Sequence, residues 1–295
     1  MLNKLKMITL PFFILLIFSF ISCFVGYGLY IALDGSIELR RLISKTTQVL
    51  LIVSIYPTMR WLNHKASELG FIPFKQFIKK MGFGSILGLF TLFPILYLSY
   101  ALDITILKTG ISWTLEQALL NLLVSFLLAL VISFLEEPMF RGILITAYIK
   151  RLGISAAILI SSFYYAALHF VKAKTSIPFS EAKLSDTFQL LLEAFNNLLN
   201  PDHLGALWAL MMVGVFLAVM RTHLKLSIAW CIGCHAAWVM QIKMAHRLVS
   251  VNPESNLTYL VSPYDGVIGP MVALWLSLLI CLYFLYVLYQ RKSLQ

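Results

Sequence analysis

Long apolar stretches separated by short polar turns dominate the pattern of hydrophobic and polar positions along this chain. A helix needs about 20 mostly apolar residues to cross the hydrocarbon core of a bilayer. The sequence contains eight candidate spans by this measure, the sixth and seventh of them short: residues 8–33, 43–62, 83–102, 117–149, 154–171, 205–220, 226–243 and 267–290. The pattern therefore predicts an all-α polytopic membrane protein, with about eight transmembrane helices enclosing an intramembrane polar cavity.

Composition agrees with this class of protein. Of 295 residues, 60% are hydrophobic and 12% are charged, whereas a soluble protein carries about 25% charged residues. No linker rich in Ser, Gly, Pro or charge divides the chain, so we expect a single membrane domain over residues 1–295. The first apolar stretch is too long for the core of a signal peptide and lacks a small-residue cleavage site, so it predicts a retained span.

The formal net charge of +10 fits loops beside anionic lipid headgroups, which makes membrane lipid an expected partner. No compact basic domain is present that could bind a nucleic acid. More Lys and Arg residues fall on the side of the N-terminus than on the other side, which predicts that both termini are cytoplasmic. The four cysteines lie in apolar stretches and are too few for a disulfide framework.

Two connecting segments carry helical patterns of their own. Residues 64–84 are basic and amphipathic, which predicts a segment on the membrane surface. Residues 184–201 repeat Leu and Phe at helical spacing, with Ser185 or Asp186 as the N-cap and Pro201 beyond the end. This second helix is either an interfacial support or a lid over a cavity.

Two carboxylates interrupt the fourth span, in the stretch SFLEEPMFRGI (residues 133–143). Ionisable side chains inside a membrane are costly, so they are functional candidates for which a partner is expected. The apolar pattern resumes after Arg141, which argues against the alternative that Glu136 and Glu137 merely meet headgroups at a helix end. Pro138 removes a backbone donor within this long helix, so we expect a kink or local opening there.

Two histidines from other spans reach a similar depth. Glu137 precedes Lys150 by about 20 Å of helix, and His169 follows Gly153 by about 24 Å, on either side of the turn between the fourth and fifth spans. His235 lies about 15 Å into the seventh span. Two acids and two imidazoles from three spans are therefore predicted to converge.

The two acids are not equivalent. Glu137 and Arg141 are spaced i,i+4 with the acid first, which is the favourable order for a helical ion pair. Glu136 is turned about 100° away and faces the predicted cavity, an environment suited to a general base. Tyr165 lies one turn before His169 and is expected to pack on its imidazole. We interpret the remaining histidines as surface residues: His64, His203, His223 and His246.

A second pattern, CIGCH, covers residues 231–235 and matches the C-x-x-C-H signature of covalent haem attachment. That chemistry needs an accessible loop, whereas this motif lies inside an apolar span. We interpret Cys231, Gly233 and Cys234 as small packing residues, with haem attachment or a thiol redox pair as the alternatives.

Three short motifs, in chain order, resemble those of the CAAX-processing and bacteriocin-processing (CPBP or Abi) proteases. EEPMFR has the family's E-E-x-x-x-R form, YAALH (ending at His169) is similar to F-x-x-x-H, and HAAWV (beginning at His235) matches half of H-x-x-x-N. The catalytic core would cover residues 117–243. The resemblance implies an intramembrane endopeptidase whose substrate is a membrane-associated protein, such as a prenylated one, or a peptide precursor.

The resemblance also implies roles for the matching positions. Glu136 and His169 would activate the attacking water, and His235 would help to stabilise the oxyanion. Glu137 and Arg141 would form a supporting ion pair. Family members are described both as metalloproteases and as glutamate proteases, so either zinc or no cofactor is expected. The residues that could ligate zinc are Glu136, Glu137, His169 and His235, although they lack the H-E-x-x-H spacing.

Val239 stands where the family has asparagine. Valine cannot donate a hydrogen bond to an oxyanion, and the loss of one such donor typically costs about 10²–10³ in rate. Gln241 lies nearby on a different face of the helix. A catalytically impaired member that binds or scaffolds a partner is therefore the main alternative. A proton-coupled transporter is disfavoured, because the sequence has neither an internal repeat nor paired broken helices.

Overall fold

The computed structural model describes residues 2–292, and nearly all of its regular structure is helical. The α-helices are α1 (Leu2–Ala32), α2 (Leu39–Val53), α3 (Ile55–Trp61), α4 (Phe74–Ala101), α5 (Leu115–Glu137), α6 (Ile145–Leu152), α7 (Ile154–Leu168), α8 (Leu184–Leu198), α9 (Leu204–Thr222), α10 (Ile228–Leu248) and α11 (Pro270–Lys292). A π-helical segment, Pro138–Leu144, joins α5 to α6, and 3₁₀ turns cover Pro201–His203 and Thr258–Leu260. The predicted all-α class is confirmed.

One short antiparallel ribbon was not predicted from the sequence. Its strands, β1 (Thr105–Leu107) and β2 (Val249–Val251), follow α4 and α10 and tie their ends together. We call this end of the bundle the ribbon side. At the opposite end, residues 62–73 form a loop whose Gly70 carbonyl accepts a hydrogen bond from the Ile228 amide at 3.0 Å, and we call that end the loop side.

Five helical stretches among the described residues are long and apolar enough to cross a membrane: Leu5–Ala32, Phe74–Ala101, Leu115–Leu152, Pro201–Thr222 and Pro270–Gln290. The predicted count of eight is not confirmed. Helix α7 is apolar but shorter. In place of the predicted span 43–62, the chain forms α2 and α3, because α2 buries only one face and carries charged side chains on the other.

The predicted surface segment 64–84 requires a correction. Helix α4 begins at Phe74 and continues without interruption to Ala101, so the second half of that segment forms the first turns of a spanning helix. The ammonium groups of Lys79 and Lys80 lie 5.9 and 5.8 Å from the centre of the Phe83 ring. These lysines therefore lie at the loop-side end of α4.

Glycines allow α4 and α10 to approach closely in the centre of the bundle. A Cβ atom on Gly233 would lie 2.0 Å from the Met81 carbonyl oxygen, and one on Gly84 would lie 2.2 Å from the Trp230 carbonyl oxygen. Small residues serve this purpose at helix contacts in membranes, where no hydrophobic effect drives helices together. The close contact fixes the height of α10 and hence of His235.

Cys231 and Cys234 are fully buried free cysteines. The thiol of Cys231 lies 3.5 Å from the Leu217 carbonyl oxygen on α9. A side chain at Gly88 would collide with the Cys234 carbonyl oxygen. The predicted role of these cysteines as small packing residues is confirmed.

The helix predicted over residues 184–201 is present as α8, with a different N-cap. Lys183 occupies the N-cap position, and its amide donates to the carboxylate of Asp186 at 2.8 Å. The Phe188 ring packs on Phe20 and Phe24 of α1, with centroid distances of 5.5 and 5.6 Å. Helix α8 therefore supports the bundle alongside α1.

Candidate active site

The three motifs meet in one cluster between α5, α7 and α10. His235 Nδ1 lies 2.8 Å from Glu137 Oε1, and Arg141 Nη1 lies 3.1 Å from the same oxygen. The ring of Tyr165 lies 4.8 Å from the His169 ring and 6.0 Å from the His235 ring. The predicted convergence of acids and imidazoles from three helices is confirmed.

A π-helical segment follows directly after the two glutamates of the first motif. It begins at Pro138, which has no amide hydrogen to continue the α-helical ladder. The carbonyl oxygen of Phe140 accepts a hydrogen bond from the Ser161 hydroxyl on α7 at 3.0 Å. Neighbouring helices must satisfy such groups inside a membrane, and single π-helical turns are frequent at functional sites. The expected local opening at this proline is confirmed.

Glu137, Arg141 and His235 form a buried core of the cluster in which Glu137 binds the other two. Their exposed fractions are 0%, 1% and 3%. Arg141 also approaches the Gly214 carbonyl oxygen at 3.4 Å, and its guanidinium lies 4.3 Å from the centre of the Tyr165 ring. Buried charges persist only when they are paired in this way. The predicted Glu137–Arg141 ion pair is confirmed, while the bond from His235, 98 residues away, was not predicted.

Glu136 and His169 are partly exposed and less constrained. The Glu136 side chain is 28% exposed, and its Oε2 atom lies 3.9 Å from His235 Nε2, which is too long for a hydrogen bond. This oxygen is buried and has no hydrogen-bond partner among the described residues, and the same is true of Glu137 Oε2. His169 Nδ1 donates to the Tyr165 carbonyl oxygen at 2.8 Å, so in the neutral ring Nε2 carries the free lone pair.

Tyr165 packs within the cluster, as predicted. Its side chain is 2% exposed, and its ring meets Phe140 edge to face at 5.2 Å. The same ring touches His169, His235 and the Arg141 guanidinium. Tyr165 therefore contacts both the buried residues and the partly exposed His169 through its aromatic ring.

Tyr264, in the loop before α11, is a neighbour of the site that the motifs do not reveal. Its ring meets Phe170 at 5.1 Å, and the Lys172 ammonium lies 4.2 Å from its centre. Burial, followed by the charges of Asp265 and Glu136, raises the pKa of Tyr264 to about 12. The phenol is thus a proton donor at neutral pH. A tyrosine in a loop carries no sequence signal of such proximity.

Two histidines interpreted as surface residues are buried instead. His64 is 8% exposed because its Nδ1 bonds Glu68 Oε2 at 2.8 Å. His203 is 7% exposed because its ring stacks on Phe170 at 4.7 Å. Loop segments that fold back onto helix ends produce this burial, and periodicity does not predict such contacts. The exposure predicted for the other two, His223 and His246, is confirmed.

Gln241 does not replace the asparagine that the third motif lacks at position 239. Val239 is half-buried. The Gln241 amide nitrogen donates to the carbonyl oxygens of Gly88 and Ala237, each at 3.1 Å. Both amide hydrogens of Gln241 are therefore directed away from the cluster, which agrees with its predicted position on a different face.

The four candidate zinc ligands do not form a ready metal site. The part of the chain that the structure describes contains no group of three or more His, Cys, Asp or Glu side chains that could hold a metal ion. Glu137 Oε1 is bonded to Arg141, whose positive charge opposes a divalent cation, and His235 Nδ1 is bonded to the same oxygen. We therefore assign no chemical step to a metal.

A cavity of about 580 Å³ lies on the ribbon side, where Val251 of β2 contributes to its lining. Its lining includes Asp202 and Pro263, each next in sequence to a residue that contacts Phe170. The lining residues all lie outside the three motifs. This cavity is therefore separate from the acid–histidine cluster.

The fold and the buried acid–histidine cluster define a polytopic membrane protein whose polar groups meet inside a helix bundle. Residues 118–240 match the family model described as Type II CAAX prenyl endopeptidase Rce1-like. This stretch contains all three motifs, so the resemblance to the CAAX-processing membrane proteases is confirmed, and these residues form an Rce1-like domain. No curated protein and no solved structure matches the chain.

Proposed function

We propose that this protein is an intramembrane CAAX-type endopeptidase in which Glu136 and His169 activate the attacking water. The observation that carries the proposal is a division within the cluster. Glu136 and His169 are partly exposed and each has an acceptor atom free of the surrounding bonds. Glu137 is fully buried, and its Oε1 atom binds both Arg141 and His235, so this acid is held in an ion pair although its Oε2 atom has no partner among the described residues. A carboxylate without a cationic partner suits a general base, and an ion-paired carboxylate suits a supporting role.

The proposed reaction is hydrolysis of a peptide bond. Water donates one hydrogen bond to Glu136 and one to His169 Nε2, and its oxygen attacks the peptide carbonyl carbon as one of these bases takes the proton. The electron pair of the carbonyl double bond moves to oxygen, which gives a tetrahedral intermediate. Collapse of the intermediate breaks the C–N bond, and the protonated base returns its proton to the leaving amine.

His235 is assigned to the oxyanion. Glu137, paired with Arg141, accepts a hydrogen bond from His235 Nδ1, so only the protonated imidazolium presents an Nε2–H to the substrate. The separation of 3.9 Å between His235 Nε2 and Glu136 Oε2 supports this assignment, since an oxyanion donor and a base this close can act on the same peptide bond. Preorganised donors of this kind stabilise developing charge strongly in a water-poor site.

The proposal is tested by cleavage in proteoliposomes. The probes are a farnesylated peptide that ends in a C-a-a-X sequence, the same peptide without the prenyl group, and a membrane-associated leader peptide. We expect wild-type protein to cleave one of them, and Glu136→Gln and His169→Ala each to lower kcat/KM by about 10²–10⁴. Glu116→Gln is the matched control, because Glu116 is exposed at the start of the same helix.

Wild-type rates in both variants would contradict the mechanism. Product masses identify the bond cleaved, and the pair of C-a-a-X peptides measures dependence on the prenyl group. Zinc is tested on the same preparation by metal analysis and chelation. We expect cleavage to persist after chelation, because the ligand set is incomplete; loss of cleavage that added zinc restores would overturn that expectation.

The alternative function is that of an impaired family member that binds or scaffolds a membrane partner. Val239 favours it, since valine removes a donor that the family's asparagine supplies. Under this alternative, wild-type protein would turn over none of the probes. Turnover that depends on Glu136 would exclude it.

A further inference from the structure

Asn197, near the end of α8, bonds to the chain directly after His169. Its Nδ2 donates to the Phe170 carbonyl oxygen at 2.9 Å, and its Oδ1 lies 3.2 Å from His203 Nε2. The Phe170 side chain is fully buried, and its ring stacks on the His203 ring at 4.7 Å with an interplanar angle of 24°. We call Asn197, His203 and Phe170 the Phe170 clasp.

The direction of each bond in the Phe170 clasp is fixed by chemistry. A carbonyl oxygen can only accept, so the amide nitrogen of Asn197 faces Phe170 and the amide oxygen faces His203. His203 must then donate through Nε2. Its Nδ1 is buried with no hydrogen-bond partner among the described residues, so the neutral ring, with a lone pair on Nδ1, fits the site better than the charged ring.

The turn that carries His169 lies beyond the last residue of the regular helix. Helix α7 ends at Leu168, and the amides of His169 and Phe170 make short-range bonds to Ala166 and Ala167 at 3.2 and 3.0 Å. The α-helical ladder therefore stops before the histidine. The Phe170 carbonyl oxygen accepts a local bond from the Lys172 amide at 2.9 Å, and the bond from Asn197 ties the same oxygen to a different helix.

We propose that Asn197 is a positioning residue for His169, acting through the Phe170 carbonyl, and that His203 fixes the orientation of Asn197. This inference rests on the proposed function, because it matters for catalysis only where His169 binds the reacting water. A shift of about 1 Å in a reacting group can cost about 10² in rate. Through the clasp, α8, which lies outside the three motifs, would affect the position of His169.

The kinetic test separates positioning from substrate binding. We expect Asn197→Ala to lower kcat by about 10–100-fold, as for other residues that orient a functional histidine, with KM within about threefold of wild type. Asn197→Asp keeps the acceptor for His203 and loses the donor to Phe170, so it should be as slow as Asn197→Ala. His203→Gln retains a terminal amide donor and should recover most of the rate that His203→Phe loses.

The matched control is Asn196→Ala, at an exposed neighbouring position of α8, which should leave kcat unchanged. A rise in KM with unchanged kcat in Asn197→Ala would overturn the proposal. Equal loss in His203→Gln and His203→Phe would overturn the role given to His203. Asn197→Asp, which preserves the size of the side chain, keeps the test available should Asn197→Ala fold poorly.

A second readout does not need proteolysis. Diethyl pyrocarbonate modifies accessible imidazole nitrogens, and mass spectrometry reports its reaction rate at His169. We expect Asn197→Asp and Asn197→Ala to change that rate severalfold, and Asn196→Ala to leave it unchanged. An unchanged rate in both Asn197 variants would overturn the clasp, whatever the cleavage data. Absence of wild-type cleavage would overturn the proposed function alone.

Discussion

Two carboxylates of this protein have the same kinds of partner in opposite surroundings. Each has a histidine Nδ1 at 2.8 Å and a cationic nitrogen at 3.1 Å. The sets are Glu137, His235 and Arg141 inside the bundle, and Glu68, His64 and Lys150 on the loop side. The Glu137 side chain is fully buried, whereas that of Glu68 is 37% exposed.

The difference in burial changes what each set of charges contributes to the protein. Inside the bundle, removal of one partner leaves an uncompensated charge, which typically costs about 3–5 kcal/mol. On the loop side, water and salt screen the charges, and exposed ion pairs contribute little to stability. Glu68 acts instead through its backbone, because its carbonyl oxygen accepts from Arg221 at 2.8 Å and holds the loop against the end of α9.

The largest effect is expected from Glu137→Gln. The neutral amide leaves the Arg141 guanidinium buried without a counter-charge and weakens the bond that orients His235. We expect cleavage to fall below detection and the unfolding midpoint in detergent to drop by several degrees. Glu136→Gln is the informative comparison, because it should lose cleavage with a midpoint near that of wild type. Equal unfolding midpoints for Glu137→Gln and Glu136→Gln would contradict the assignment of a supporting role to Glu137 alone.

A gain of function is expected from Val239→Asn. Val239 lies one helical turn after His235, where the family has asparagine. One oxyanion donor is typically worth about 10²–10³ in rate. We expect kcat to rise by about tenfold or more, while Val239→Leu, which adds no donor, should not raise it. A rate for Val239→Asn no higher than for Val239→Leu would show that this position lies outside the reach of the oxyanion.

The smallest effect is expected from Glu68→Gln. His64 and Lys150 lower the pKa of Glu68 from an ordinary value of 4.5 to about 2. A carboxyl group whose pKa is lower in the folded state than in the unfolded state stabilises the fold when the pH is above its ordinary pKa. That stabilisation is lost as the pH falls from the ordinary pKa to the pKa of the folded state. The unfolding midpoint of wild type should thus decline more steeply than that of Glu68→Gln between about pH 5 and pH 2.

Glu254→Gln, in a loop on the ribbon side, is the control for the acid titration. Its midpoint should follow that of wild type over the same range of pH. Parallel curves for Glu68→Gln and wild type would show that this set contributes nothing through its charge.

Sequence patterns predicted the elements that depend on local spacing. The Glu137–Arg141 pair follows from i,i+4 geometry, the kink or local opening from Pro138, and the convergence of His169 and His235 from counting residues along helices. The count of spans was less predictable. Helix α2 has an apolar stretch that the eight-span interpretation took for a membrane crossing, yet it packs one face on α1 and turns its charges outward.

Contacts between distant segments were beyond the reach of the sequence. The bond between His235 and Glu137 depends on the height at which α10 meets α5, which the glycine contacts with α4 set. The burial of His64 and His203 depends on loops that fold back onto helix ends. Nothing in the spacing of Asn197 signals its bond to Phe170, because α8 reaches that carbonyl only through its packing in the bundle.

The most direct test of the central claim is a double-mutant cycle on Glu136 and His169, measured as kcat in proteoliposomes. If both residues act on one water, Glu136→Gln combined with His169→Ala should be within about threefold of the slower single variant, because groups that act as a unit are not additive. Losses that multiply would show that the two side chains act independently. Such a result would contradict the proposal that they form one water-activating pair.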